Sequence, residues 1–552
     1  MVIDPDRSAA DRLRPLDQLL IAAFLALVFL PGTIGVSLFD RDEGWHGQTV
    51  REMLETNDWV IPRYLGESRY HKTPLLYWCS AVSVSAFGWS EFSLRLPGVL
   101  VSITAWTIVA TAAARWSGRR TGYWTAILAG TCLGPNLAGK LFLSEPYLLL
   151  GTAVAMLCWM AQLNRRPRGA GYGFWAAFGF AILAKGPAIF VVIIPVTLAF
   201  LWTEPPTGAT LLQRFRHIWP GRGWYLALVV GLPWFAAVAY RDWDEFYSQF
   251  ILLHSVSRVK EPAEGHWGPP GTYLALGLVV LWPWAALVPS VVASAWKNRR
   301  EDATTRQLLV WLIAPWVLFE LIQTKLPHYV LPLMPPMAML AGREIARVTE
   351  LRSAVLRLDR LARVVWVVGL LLGNAFTIAM AALLRDEFAV FGLLALGAVL
   401  LLTAVTAVWP RGRPDWKSRC VVVTIGMTAF YQVLGWVAVP QAEPYRLSRL
   451  VAEQANKISR ADDRIFAYGF KEPSMFYYLE RPAGALRPDL TDWHGRSFIL
   501  ITREPKLAEL QSVLRLVKSS GRIVEGVNYV RGRRVRIWIG RAEALSERPQ
   551  DQ

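Results

Sequence analysis

Residues 37–78 read SLFDRDEGWHGQTVREMLETNDWVIPRYLGESRYHKTPLLYW, a stretch dense in acids, bases and histidines that follows directly on the apolar run 17–39. Its first half has a helical period, with Val50, Met53 and Leu54 on one stripe and Pro62 as the stop. That period predicts an amphipathic helix lying along a membrane surface. Asp40 followed by Glu43 makes a capping-box pattern, and Asp58 fits an ordinary solvated loop acid. These uses leave Asp42 unassigned, although a carboxylate at a helix start is commonly structural.

Composition explains why such a helix belongs at a membrane. Of the 552 residues 54% are apolar and 26 are Trp, more hydrophobic material than one soluble core of this size uses. Apolar windows of about 20 residues, the length that crosses a hydrocarbon core, recur from 17 to 440. The clear ones are 17–39, 93–115, 222–240, 270–296, 361–384, 388–409 and 419–440. Shorter or proline-interrupted ones are 121–139, 142–162, 170–184, 187–203, 306–323 and 328–342. The expectation is a polytopic α-helical membrane protein with about 13 transmembrane helices.

Lys and Arg concentrate in alternate loops, among them Arg115, Arg119 and Arg120; Lys297, Arg299, Arg300 and Arg306; and Arg343, Arg347 and Arg352. The positive-inside rule makes those loops cytoplasmic, which puts the N-terminus inside and, after an odd number of crossings, the C-terminus outside. The net charge of +17 is then chiefly a topology signal, and no nucleic-acid partner is expected. Cys79, Cys132, Cys158 and Cys420 have no CxxC spacing, so neither a disulfide scaffold nor a zinc knuckle follows. The leading MVIDPDRSAADRLRPLD carries acids ahead of the first span, which argues against a removable signal peptide.

Two domains are expected: a transmembrane domain over 1–440 with long external loops at 40–92 and 241–269, and a C-terminal extracytoplasmic α/β domain over 441–552. In the latter, RIFAYGF and SFILIT read as buried strands, PSMFYYL and KLAELQSVLRLV as helices, and VNYVRGRRVRIWIG as a hairpin turned at Arg531 and Gly532. With no Gly-rich phosphate fingerprint and no triad spacing, this domain reads as a structural or substrate-guiding lid.

At DRDEGWHGQTVREMLETNDWVIPRYLGESRYHKTPLLYW the sequence resembles the bacterial aminoarabinose transferase and protein O-mannosyltransferase group of membrane glycosyltransferases, which have the C-type fold. The DE pair, the REM helix, the DW..P...G turn and the Lys before an LYW run carry the resemblance. KLFLSEPYLLL (140–150), LAKGP (183–187), TKLPHYVLPLMPPMAML (324–340) and YGFKEPSMFYYL (468–479) continue it in order over nearly the whole chain. The resemblance implies transfer of a sugar from a polyprenyl (undecaprenyl) phosphate donor, with inversion, to lipid A, another glycan or a protein at the periplasmic face of the bacterial inner membrane. It places Asp42 on the catalytic acid, with Glu43 its neighbour, and Glu145 where relatives often have Asp. It implies phosphate-binding roles for Lys72, Lys140, Arg258, Lys260 and Tyr329. Lys185 and Lys325 read equally well as helix-end anchors.

Of the histidines, His46, His71, His254, His266 and His328 all fall in outward loops or at outward helix ends. In relatives the residue before the Lys is often acidic and can pair with a loop histidine around a metal, which would make His71 and His254 a divalent-metal pair here. Against it, no HExxH or DxD pattern occurs, and solvated or phosphate-facing histidines remain the alternative. The sequence departs from the family at Trp45, His46, Gln48 and Thr73, so the sugar is not carried over. A transporter or flippase of lipid-linked glycans is the competing class. It would favour charges near the bilayer midplane and repeated halves, which this chain does not show clearly. A receptor whose C-terminal domain binds a partner is a third reading, and it leaves the charged loop unexplained.

Overall fold

The computed structural model describes residues 12–545 apart from 165–168, 205–207, 258–266, 351–358, 385–386, 409–415, 444–445, 487–495, 512, 518–519 and 529–532. The chain forms two compact units. The first comprises Met1–Ile34, Tyr70–Cys79 and Arg95–Ala438, and the second Gly35–Arg69, Ser80–Leu94 and Val439–Gln552.

The first unit is helical, and the apolar windows fall largely on helix, the 17–39 window only as far as Phe29. Among the described residues five helices are long and apolar enough to cross a membrane: Glu91–Ser117, Glu145–Leu163, Ala170–Thr203, Val364–Ala382 and Trp416–Gln441. Two bent pairs raise the number to seven: Trp224–Gly231 with Pro233–Arg241 (43°), and Thr272–Val280 with Trp284–Asn298 (118°). Proline stands at each break, where its ring and missing N–H interrupt the ladder. The core is apolar and aromatic, with Trp106, Trp159 and Trp311 fully buried. Several of its polar groups are satisfied within the protein, as hydrocarbon favours: the Trp159 indole donates to Ile218 O at 2.7 Å, that of Trp284 to Thr131 Oγ1 at 2.8 Å, and Thr125, Thr131 and Thr424 donate to the carbonyl one turn back, whereas the indole nitrogens of Trp106 and Trp311 are buried without a partner.

The second unit is α/β. Its first segment carries the helix Asp42–Thr56 and a small hairpin of strands β1 (Arg63–Tyr64) and β2 (Glu67–Ser68). The C-terminal segment contributes a sheet: β3 (Ile465–Tyr468), β4 (Ala483–Ala485), β5 (Ser497–Arg503), β6 (Leu514–Leu516), β7 (Arg522–Asn528) and β8 (Arg533–Ala544). The order is β4-β3-β5-β8-β6, with β7 also on β8; β3 runs parallel to β4 and β5, and every pairing of β8 is antiparallel. Alternation along β5 buries both faces. Ile499 and Ile501 join a core covered by the helices Leu447–Ile458 and Pro473–Tyr478, whereas Phe498 and Leu500 join one with Leu510, Leu514 and Trp538.

Four local expectations are corrected. The Asp42–Thr56 helix ends at Asn57, whose left-handed φ of 53° forms the cap, well before Pro62. Its buried residues include Glu43, His46, Gln48 and Glu52, so it packs polar side chains inward instead of showing one apolar stripe. The capping box is rearranged: Glu43 accepts from Phe39 N at 2.8 Å, while Asp40 accepts from Ser474 N at 2.8 Å and Ser448 Oγ at 2.7 Å. KLAELQSVLRLV is helical only at Leu507–Leu510 before Leu514–Leu516 becomes a strand, where pairing with β8 outweighs local helical spacing. The β7–β8 hairpin pairs Asn528 with Arg533, and the turn at Arg531 and Gly532 lies outside the described residues.

Candidate active site

In the first unit, three chain breaks deliver charge to one place. The Ala170–Lys185 helix stops at Gly186, whose φ of 59° and ψ of −134° suit glycine alone, and Pro187 bars its continuation. A Cβ at Gly186 would also meet Phe250 Cζ at 2.7 Å. Lys185 is therefore the last residue of a helix, at its negative end. Glu145 opens the Glu145–Leu163 helix next to Pro146, at a positive end. His328 and Tyr329 lie in the 3₁₀ turn Pro327–Leu333.

These groups meet around the Glu145 carboxylate, which is 3% exposed. Lys185 Nζ donates to its Oε1, His328 Nε2 lies 3.3 Å from the same oxygen, and Ser144 Oγ is 3.5 Å from Oε2. Lys72 adds its charge to the same field. Tyr329 stands beside them, its ring centroid 5.4 Å from Lys185 Nζ and 5.0 Å from the His328 ring. A cavity of about 320 Å³ opens on this cluster, lined by His71, Lys72, Lys185, Phe250, His328 and Tyr329 among others. The short segment bearing Lys72 is held by its neighbour: the Tyr70 hydroxyl donates to Asp242 Oδ2 at 2.6 Å, and Tyr70 N donates to Gln249 Oε1 at 2.9 Å. The arrangement presents ammonium and imidazole groups, a phenol and apolar walls, which suits a phosphate carried on a hydrocarbon.

The expected residues sort as follows. Lys72, Glu145, Tyr329 and His71 are brought together. Lys140 does not line this cavity; it is buried, with Nζ 5.0 Å from the Tyr431 ring centroid. Arg258, Lys260 and the His254 side chain lie outside the described residues. Among the described residues no group of three His, Cys, Asp or Glu side chains could hold a metal. Lys325 caps a helix end, donating to Phe319 O at 2.7 Å and Glu320 O at 2.8 Å. Lys185 and His328, not named beforehand as site residues, are the direct partners of Glu145. LAKGP carried the signal for the former, since a Lys before Gly-Pro ends a helix with its cation at the break.

In the second unit, Asp42 is the first residue of its helix and half-buried. The helix is fixed by Glu52, which accepts from Leu65 N (2.7 Å), Gly66 N (2.9 Å) and Gln48 Nε2 (2.9 Å), and by Arg51, which donates to Leu479 O at 2.9 Å. Gly44 lets it approach the Pro473–Tyr478 helix; a Cβ there would stand 2.3 Å from Ser474 N. Buried Arg69 lies over the Trp45 ring at 4.3 Å. Burial and neighbouring carboxylates hold the Tyr64 hydroxyl well above the usual phenol range despite Arg69, so it stays protonated.

Residues 71–240 match the family of dolichyl-phosphate-mannose-protein mannosyltransferases. Over 496 residues the chain is 27% identical to the undecaprenyl phosphate-alpha-4-amino-4-deoxy-L-arabinose arabinosyl transferase of Edwardsiella ictaluri, covering 84% of this chain and 88% of that one. The enzyme of that name numbered 1 in Pseudomonas fluorescens is 30% identical over 342 residues, 60% of this chain and 58% of that one. The fold is similar to that of ArnT from Cupriavidus metallidurans, crystallised with undecaprenyl phosphate: TM-score 0.74 and 20% identity over 94% of this chain and 97% of that one. In fold the chain is similar to a multi-pass membrane glycosyltransferase of the C type. In sequence it is similar to aminoarabinose transferases over most of its length and to the protein mannosyltransferase family over residues 71–240.

Proposed function

We propose that the protein transfers a sugar from a polyprenyl phosphate donor to an envelope acceptor such as lipid A, at the periplasmic face of the bacterial inner membrane. The observation that carries this reading is the buried Glu145 carboxylate ringed by Lys185 and His328 beside the Lys72-lined cavity. A cation cluster compensated by one carboxylate binds a leaving phosphate without leaving charge unpaired when the site is empty.

In this reading Lys72, Lys185 and Tyr329 hold the donor phosphate, and Glu145 is the counter-charge that positions them. The acceptor oxygen attacks the anomeric carbon from the face opposite the phosphate. The C–O bond to phosphate breaks and its electron pair leaves with the phosphate; the acceptor proton is assigned to Asp42 from the resemblance alone. Arg258 and Lys260 are assigned to the same phosphate from the resemblance alone, as is Lys140. No step is routed through a metal.

A transporter would also use helix breaks, so the positions of Glu145 and Lys185 do not decide between the classes. The named relatives are transferases, which favours an enzyme. The orientation follows from the basic loops: N-terminus cytoplasmic, C-terminal domain periplasmic. The relatives' named donor, 4-amino-4-deoxy-arabinose on undecaprenyl phosphate, is the first to assay. Mass spectrometry of envelope lipids and glycoproteins from a deletion strain tests the reading. Loss of one sugar from a lipid A, glycan or protein species is expected, and an unchanged envelope profile would contradict it.

A further inference from the structure

A second polar cavity lies elsewhere in the first unit. A cleft of about 800 Å³ is lined by Arg119, Arg120, Arg343 and Arg347, with Ser294 and Asn298 between them. The arginines come from two separate basic stretches, 115–120 and 343–347, and Ser294 and Asn298 from a third segment. Folding thus gathers onto one cleft charges that positive-inside topology alone only requires to lie on one side.

Arg119, Arg343 and Arg347 are only partly used by the bonds they make. Arg119 donates through one terminal nitrogen to Asp17 Oδ1 at 2.6 Å, and its buried Nε has no partner. Arg343 uses a single terminal nitrogen for both Asp302 and Thr305 Oγ1. Arg347 grips Glu344 through Nε at 3.0 Å and one terminal nitrogen at 2.6 Å. A guanidinium has five N–H donors in a planar fork, so each retains donors for a second anion. The N-terminus of the Arg119–Thr131 helix opens on the same cleft, adding the positive end of its dipole. Val291, Ala295 and Leu340 supply apolar wall beside these charges.

We propose that this cleft binds the phosphate headgroup of an anionic phospholipid from the cytoplasmic leaflet, the arginine forks holding the phosphate and the apolar wall receiving the first part of an acyl chain. The leaflet assignment rests on the orientation proposed above; the binding itself does not depend on the transfer reaction. A structural lipid here would tie together the ends of the Arg119–Thr131, Val288–Asn298 and Met334–Glu350 helices.

Native mass spectrometry of the detergent-purified full chain, titrated with phosphatidylglycerol or with phosphatidylcholine of the same acyl chains, reads this directly. Phosphatidylglycerol should be retained at least tenfold more tightly. Arg120→Gln with Arg347→Gln should remove most of that preference, while Arg299→Gln with Arg300→Gln, on the same side but outside the cleft, should keep it. Equal retention of the two lipids, or a preference untouched by the cleft variant, overturns the proposal. So does complete displacement of phosphatidylglycerol by millimolar inorganic phosphate, which would make the cleft a soluble-anion site. Should the cleft variant fail to fold, photo-cross-linking of the unaltered protein with a photoactivatable phosphatidylglycerol decides. Adducts on 117–123, 291–298 or 340–347 support the proposal, and adducts only elsewhere overturn it. Sugar transfer measured on the same preparations separates this outcome from that of the enzyme reading.

Discussion

Buried carboxylates are used in opposite ways in the two units. In the second unit, the buried Glu43 and Glu52 and the half-buried Asp40 accept from backbone N–H groups, at Phe39, at Leu65 and Gly66, and at Ser474. In the first, Glu145 is satisfied by side-chain cations, Lys185 and His328, beside a cavity. Backbone partners cannot leave without unfolding the segment, so such acids are structural. Side-chain cations that border a cavity can be shared with an incoming anion, so such an acid marks a candidate binding site, which a cation partner alone, as in Asp463 with Arg541, does not. Partner type together with the adjoining cavity, more than burial itself, separates the two.

The sharpest way to break the contrast is a pair of substitutions on one helix. Asp42→Asn should lower sugar transfer by about three orders of magnitude or more with the protein folded and inserted, as loss of an essential proton acceptor does. Glu52→Ala should do the reverse, costing ~1–2 kcal/mol by removing the hydrogen bonds to the part-buried Leu65 and Gly66 amides while transfer per folded molecule stays within about twofold. Transfer rates set against thermal unfolding midpoints would separate these outcomes. Next in size, Gly44→Ala forces backbone apart at Ser474 and should cost about 3 kcal/mol, seen as a lower unfolding midpoint or poor yield.

The smallest effect concerns acid stability. Burial works to raise the Asp463 carboxyl, but hydrogen bonds from Arg541 and from Arg460 N outweigh it and hold the group below the usual carboxylate range. A carboxyl depressed on folding stabilises the native state above its unfolded value, and that contribution fades as pH falls toward the folded value. Asp463→Asn should therefore flatten the acid side of the stability profile by roughly 1–2 kcal/mol and change little below it. Chemical denaturation at a series of pH values reads the difference.

Much of this was legible in the sequence. Apolar windows and basic loops gave the helices, and alternation in SFILIT gave the central strand of the sheet. Lys72, Glu145 and Tyr329 were singled out because each sits in a motif shared with a family, and the structure brings them together around one cavity. Lys185 was left between anchor and site, and His328 was placed only among the outward histidines, because their meaning depends on Glu145, 40 residues from Lys185 in the chain. Linear spacing does not record such a meeting. The capping box failed for a related reason: Ser448 and Ser474, more than 400 residues away, compete for Asp40. Helix Leu507–Leu510 stops early because β8 offers Leu514–Leu516 a ladder that local propensity cannot foresee.

The most direct measurement is equilibrium binding of undecaprenyl phosphate to the purified protein, compared with Lys72→Gln and with Glu52→Gln. If the cavity beside Glu145 takes the donor phosphate, Lys72→Gln should weaken binding by ~10- to 100-fold, the loss of one charge-assisted contact, and Glu52→Gln should leave it unchanged. Equal affinity in the unaltered protein and Lys72→Gln would contradict the assignment.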